Sequence, residues 1–192
     1  MANTDTDYNK IVDEYLSTNS TKVFGNYLPE HARYIISSFI KNANYSIDIL
    51  SGECNDIFYD NNKIWQILKN SAKKIAQNNG YIRIITADGV VCKKLKSIID
   101  EINSENKKVF AYYRPALYEG KKKLNHFLIV DEMRYRLEDV HEKKHNGIPD
   151  VVKAEVCCNG TKKAEELKSF FDGIWKFLEP QNNEVVNANN RA

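Results

Sequence analysis

Between Leu124 and Glu138 the chain sets a histidine near the head of an apolar run, a carboxylate at its end, and two arginines at alternate positions just beyond. The run Leu124-Asn125-His126-Phe127-Leu128-Ile129-Val130-Asp131 has strand length and Arg134-Tyr135-Arg136-Leu137-Glu138 has strand alternation. Together they predict a β-hairpin with charge on one face. If Val130 pairs with Tyr135, as a two- or four-residue loop would give, Leu128 meets Leu137 and His126 meets Asp139. Phe127, Ile129, Arg136 and Glu138 then share the other face. A carboxylate beside an imidazole fixes the ring and favours its charged form, which suits a phosphate-binding or acid–base histidine and equally a structural one. His126 and Asp139 are the candidate catalytic pair. Arg134, Arg136, Glu138, Asp131 and Lys123 are candidate ligand contacts. Glu53 joins them because it stands just past the C-terminal end of an expected strand, where the ligand crevices of open α/β sheets lie.

Two further patterns read as solvated loops. His141-Glu142-Lys143-Lys144-His145 matches the zinc-protease spacing, but that chemistry needs both histidines on one face of a stable helix, and Asn146-Gly147-Ile148-Pro149 breaks any helix after about one turn. Lys121-Lys122-Lys123 is a charged loop ahead of the hairpin, and Tyr112, Tyr113, Arg114 and Tyr118 upstream are strand and packing residues, although aromatics interleaved with cations can stack bases. No metal site and no cofactor is called for.

The elements that must position these residues follow from periodicity. Tyr8, Ile11, Val12, Tyr15 and Leu16 form one stripe of a short helix over 5–16. Pro29 opens a second helix running to about Asn42, with Ala32, Ile35, Ile36, Phe39 and Ile40 at helical spacing. Strands are expected at Ser46–Leu50, Tyr81–Thr86 and Val109–Tyr113, separated by helices from Lys63 to Gln77 and around Leu95, Ile98 and Ile102. This alternation predicts an α/β fold with a mixed, largely parallel sheet flanked by helices. After a loop over 139–150, a strand at Val152–Cys157 leads to a last helix capped by Thr161 and ended by Pro180, with Ala164, Leu167, Phe171, Ile174, Trp175 and Leu178 buried. Residues 1–28 read as a helix and linker, 29–180 as the domain, and 181–192 as a disordered tail.

A chain of 192 residues, 42% hydrophobic and 28% charged, fits one globular α/β domain. The formal charge of +2 is too small to identify a polyanionic partner. The polar, acidic N-terminus is no signal peptide and no stretch is long enough to span a bilayer, so a cytosolic protein without a membrane partner is expected. Cys54, Cys92, Cys157 and Cys158 show no C-x-x-C spacing and are expected as buried free thiols.

From Pro29 to Phe177 the chain resembles one half of a phospholipase D-like fold. The resemblance rests on Lys41-Asn42-Ala43-Asn44 before Ser46-Ile47-Asp48-Ile49, on Tyr81-Ile82-Arg83-Ile84-Ile85, on Asn125–Asp131, and on Phe170-Phe171-Asp172-Gly173-Ile174-Trp175. It implies a phosphoryl-transfer signature, His-x-Lys-x-x-x-x-Asp. With Asp131 on the signature aspartate, Leu124 takes the place of the nucleophilic histidine and His126 that of the lysine. With His126 on the histidine instead, Leu128 and Met133 take the other two places. The first register is preferred because the apolar run ends at Asp131, and leucine cannot act as a nucleophile. The resemblance therefore implies a catalytically degenerate domain that binds a phosphate-bearing ligand, a nucleic acid or a protein partner. The alternatives are an active phosphodiesterase or nuclease using His126 with nearby cations, and a structural subunit of a larger complex. Because the family's site forms where two halves meet, the hairpin is expected to be exposed in a single half and covered by a second copy in a two-fold homodimer.

Overall fold

The computed structural model describes residues 4–52, 62–86, 93–106, 110–115, 124–139 and 152–189. In chain order these form α1 (Thr4–Ser17), β1 (Val23–Asn26), α2 (Pro29–Lys41), β2 (Ser46–Ser51), α3 (Asn62–Gln77), β3 (Tyr81–Thr86), α4 (Lys93–Glu105), β4 (Phe110–Pro115), β5 (Phe127–Val130), β6 (Arg134–Glu138), β7 (Ala154–Cys157) and α5 (Thr161–Asn189). The strands make one seven-stranded sheet in the order β1-β7-β6-β5-β2-β3-β4.

The sheet is mixed, as expected, but mostly antiparallel. Only β2-β3 and β3-β4 run parallel, whereas β1-β7, β7-β6, β6-β5 and β5-β2 are antiparallel. The parallel pairs follow from connectivity: α3 and α4 cross over between β2, β3 and β4. Residues 23–26, a linker in the sequence reading, are the edge strand β1, paired with β7. The Tyr8 hydroxyl donates to the Gly25 carbonyl at 3.0 Å, so α1 supplies a partner to a backbone group of this edge strand.

Helices cover both faces. Val12 of α1, the Ala32–Ile40 stripe of α2, and apolar residues of α3 and α4 pack against Ile47, Ile49, Ile82, Ile84, Leu128, Val130 and Val156. On the other face α5 sets Ala164, Leu167, Phe171, Trp175 and Leu178 against Leu50, Ile85, Phe127, Ile129, Tyr135 and Cys157. Beneath α5, Arg83 bonds Asp48 at 2.6 Å and Asp172 at 2.8 Å, with its guanidinium 4.7–5.5 Å from the ring centres of Tyr81, Phe171 and Trp175. The helix begins at Thr161, with Gly160 accepting the Ala164 N–H at 2.9 Å, so Thr161 lies inside the helix rather than capping it. It also continues through Pro180 to Asn189, beyond the expected stop. Proline removes one N–H and crowds the preceding turn, but no glycine or second proline follows before Asn189 to end the helix.

The hairpin forms, one residue out of the expected register. Its loop has three residues, Asp131–Met133, so Val130 pairs with Arg134, Ile129 with Tyr135, Leu128 with Arg136 and Phe127 with Leu137. Arg134, Arg136 and Glu138 therefore share a face with Leu128 and Val130. The expected exposure of the hairpin is also absent: β5 and β6 are central strands, and Phe127 and Ile129 are 2% and 0% exposed under α5. Asp131 and Glu132 both adopt left-handed backbone, with φ of 53° and 55°. That conformation costs about 1–2 kcal/mol per non-glycine residue, and the Asp131 carboxylate offsets it. The carboxylate accepts the backbone N–H groups of Asn44, Tyr45 and Ser46 at 2.8–3.1 Å, and Arg134 at 3.0 Å. The Tyr45 hydroxyl donates to the Asp131 carbonyl. Gly80 completes this end, since a Cβ there would lie 1.9 Å from the Tyr45 carbonyl oxygen.

Removing a buried charge acceptor from several donors at once should be costly. Asp131→Ala is expected to lower stability by about 3 kcal/mol, roughly 6–12 °C in Tm for a chain of this size, measured by thermal denaturation. Burial, with a smaller contribution from neighbouring Cys157, pushes the Cys158 thiol up to about 12, Arg134 opposing in part. Iodoacetamide at pH 8 is expected to leave Cys158 unmodified in the folded protein and to label it after unfolding, read by mass spectrometry. Because the unfolded thiol ionises near 9 and the folded one near 12, stability should fall as pH rises through that interval.

Candidate functional site

The strand register gathers polar side chains at one end of the sheet. His126 directly precedes β5, and its carbonyl accepts the Glu138 N–H at 2.8 Å. Glu138 pairs with Ala154 and Ala154 with Asn26. On the other side, Leu50 pairs with Phe127, which brings Ser51 level with His126, and Ser51 pairs with Thr86. Alternation puts Asn26, Glu138, His126, Ser51 and Thr86 on the α1–α4 face, in one row across β1, β6, the head of β5, β2 and β3. This is the end where the parallel strands β2 and β3 terminate, the position of ligand crevices in open α/β sheets.

The row is buried apart from its histidine. Asn26, Ser51, Thr86 and Glu138 are at most 5% exposed, whereas the His126 side chain is 32% exposed. Arg136, one step further in on the same face, is 3% exposed. It donates from Nε to Asn26 Oδ1 at 3.0 Å and from one terminal nitrogen to Glu138 Oε2 at 2.7 Å. Among the described residues its second terminal nitrogen has no hydrogen-bond partner. The other Glu138 oxygen lies 3.7 Å from His126 Nδ1, so one carboxylate serves both the guanidinium and the imidazole. Asn26 in turn donates to the Val152 carbonyl at 2.8 Å, and the Val152 N–H bonds Tyr27. Tyr8 stacks on His31 with ring centres 3.7 Å apart. Burial pushes the Tyr8 hydroxyl well above its ordinary value, the Arg136 charge partly opposing. Tyr8 is therefore a fixed neutral donor beside the cluster.

Of the residues expected at a site, His126, Arg136 and Glu138 are brought together. Asp139 is not the partner of His126: the three-residue loop gives that place to Glu138, and Asp139 is exposed with its N–H bonded to the Lys153 carbonyl. Asp131 and Arg134 lie at the opposite end of the hairpin, about 16 Å away at ~3.3 Å per residue, where they join the turn to the start of β2. Glu53, Lys123, Lys121–Lys122, Tyr118 and His141–His145 lie outside the described residues. Sequence reasoning missed Asn26, Ser51, Thr86 and Tyr8. Asn26 sits on a four-residue strand with a glycine, too short for a periodic signal, and Tyr8 reads only as part of an apolar stripe. Among the described residues no group of three or more His, Cys, Asp or Glu could hold a metal ion. The row thus sets a guanidinium held by Glu138 and Asn26 beside a partly exposed imidazole, a combination whose charge and donors suit an anion.

This sheet order, with helices on both faces, is a phospholipase D-like fold. Over 81% of this chain and 94% of its own length, the phospholipase D family member Nuc from Salmonella typhimurium superposes with a TM-score of 0.57 at 18% identity. NucT from Helicobacter pylori matches over 81% and 96% with a TM-score of 0.53 at 15% identity. TrmBL2, an archaeal chromatin protein with a novel mode of DNA binding, matches 90% of this chain and 60% of its own, with a TM-score of 0.57 at 12% identity. No family model and no curated protein sequence matches.

The ion pair predicts an asymmetry between neighbours. Glu138→Ala should cost about 3–5 kcal/mol in urea denaturation because it leaves Arg136 buried without its counter-charge. His126→Ala, at a partly exposed side chain, should cost about 1 kcal/mol or less. Combining Arg136→Met with Glu138→Leu should recover most of the loss, since it removes both charges together.

Proposed function

We infer that this phospholipase D-like domain binds a phosphodiester-bearing ligand, nucleic acid foremost, at the His126–Arg136 end of the sheet, and does not cleave it. The observation that carries this reading is the buried Arg136, held by Asn26 and Glu138 with one guanidinium nitrogen unengaged among the described residues, beside a partly exposed histidine. A guanidinium fixed in this way matches phosphate oxygens and gives binding without a nucleophile. The loss of catalysis is supported by Leu124 at the place of the signature histidine and His126 at that of the lysine, with Asp131 at the aspartate's place held in structural bonds. Nucleic acid is put first because TrmBL2, of similar fold, binds DNA. No helix among the described residues is long and apolar enough to cross a membrane, and the buried free thiols Cys157 and Cys158 suit a reducing, cytosolic setting.

The second reading is an active metal-independent phosphodiesterase, favoured by the Glu138 carboxylate lying 3.7 Å from His126 Nδ1. One experiment separates the two. A fluorescently labelled single-stranded oligonucleotide is titrated by anisotropy at two salt concentrations, and bis(p-nitrophenyl) phosphate is incubated with the protein in EDTA. The expected result is binding that weakens with salt and weakens again in a folded Arg136→Lys variant, with no hydrolysis. Turnover that survives EDTA and disappears in His126→Ala establishes the enzyme instead. Failure of the folded wild-type protein to bind removes the binding reading.

A further inference from the structure

The Arg136 nitrogen that has no hydrogen-bond partner among the described residues is itself buried, so a phosphate oxygen reaches it only if an element above it moves. The sheet beneath does not give way, because β6 is bonded to β5 on one side and to β7 on the other. Nor does α2, which sinks Ala32, Ile35, Ile36, Phe39 and Ile40 into the core. The first helix is embedded far less. Among the described side chains of α1, Val12 alone is fully buried, while Tyr8, Tyr15 and Leu16 are half-buried and Ile11 is exposed. Hydroxyl bonds tie it down: Tyr8 donates to the Gly25 carbonyl at 3.0 Å, and Tyr34 of α2 donates to the Asp13 carboxylate at 2.8 Å.

We propose that α1 is a gate over Arg136, closed while Tyr8 is latched to Gly25 and open when that bond is released. The latch stands at the site. The Tyr8 ring stacks on His31 in the first turn of α2, and its hydroxyl holds the carbonyl of the residue before Asn26, the acceptor of Arg136 Nε. Burial raises the Tyr8 hydroxyl and the Arg136 charge partly opposes this, so phenol and guanidinium are within electrostatic reach of one another. The hinge stands at the far end. Residues 18–22 join α1 to Val23, the end of β1 away from the row, and include Asn19 in left-handed backbone with φ of 46°. Turning there lifts the half of α1 that carries Tyr8. The site stays built when α1 leaves, because Asn26 still donates to the Val152 carbonyl and β1 still pairs with β7. Opening uncovers Val12 and parts of three further apolar side chains, so the closed form predominates and apparent affinity is reduced by the fraction that is open. The identity of the ligand rests on the reading above; the motion of α1 does not.

Phenylglyoxal, which condenses with guanidinium groups, reads the opening without any ligand, the modified residues being assigned by peptide mass spectrometry. Arg136 is expected to label slowly in the wild-type protein and roughly fivefold faster in Tyr8→Phe, which removes one hydrogen bond and keeps the ring. Tyr34→Phe, which frees α1 from α2 away from the site, should act in the same direction. Arg134, buried at the opposite end of the hairpin, is the internal control and should label equally in all three proteins. The dissociation constant of the labelled oligonucleotide should fall in both variants by the factor found for Arg136 labelling. Saturating oligonucleotide should also speed amide hydrogen exchange over residues 8–16 of the wild-type protein, since the ligand selects the open form. Arg136 labelling indifferent to both substitutions would overturn the gate, as would an oligonucleotide that binds all three proteins equally. Faster Arg136 labelling in both variants with no oligonucleotide bound by any of them would uphold the gate and remove the binding reading instead.

Discussion

One carboxylate fixes the geometry on which the rest depends. Asp131 accepts consecutive backbone N–H groups from Asn44 to Ser46 and is neutralised by Arg134, so the turn after β5 is locked to the first residues of β2. A strand side chain changes face with every residue of slippage. Holding the β5–β2 register therefore holds Leu128 opposite Ile49 and, at the far end of the same strands, His126 level with Ser51. Two successive left-handed residues at Asp131 and Glu132 are tolerated because the bonds they allow are charge-assisted and buried. The signature aspartate implied by the resemblance thus has a visible role that needs no chemistry: it builds the frame in which the site residues stand.

The electrostatics of the row centre on one buried carboxylate, Glu138. Glu138 is shared between Arg136 and His126, so much of the guanidinium's charge is spent inside the protein and the remainder is directed by geometry. A buried cation of this kind is oriented at the cost of desolvation, which its partner compensates only in part. Such a pair is a poor choice for stability alone. On the binding reading proposed above, a ligand would complete the guanidinium's hydrogen bonds.

Long periodic segments were legible in the sequence, and single-residue geometry was not. The α2 stripe, the β3 run and the apolar face of α5 are each set by repeated burial, so composition and spacing identify them. The hairpin was recognisable from the same signals, but its register turns on loop length. Asp131-Glu132-Met133 has no Asn-Gly or Asp-Gly pair to announce a turn type, so Asp139 was expected where Glu138 stands. The parallel character was overestimated because β–α alternation before β4 dominates the pattern, while the returning antiparallel strands leave shorter traces. Pro180 shows that a breaker removes one bond and adds strain without always ending a helix. Asn26 was invisible for a different reason: its role exists only through pairing with a strand far away in sequence.

That distance has a consequence for how the chain acquires its site. Asn26 bonds the Val152 carbonyl across 126 residues, and among the described residues β1 has β7 as its one strand neighbour. On a ribosome β1 emerges well before β7, its strand partner, whereas the β2-β3-β4 unit can assemble from local crossovers in the meantime. The guanidinium of Arg136 is thus oriented by an element that is made before its strand partner and docks late. Until β1 docks, β7 keeps an open edge. The Asn26–Arg136 bond and the covered edge of β7 are acquired in the same late step, so a chain with a finished core and an unseated first strand would be folded in most respects with that guanidinium still unplaced.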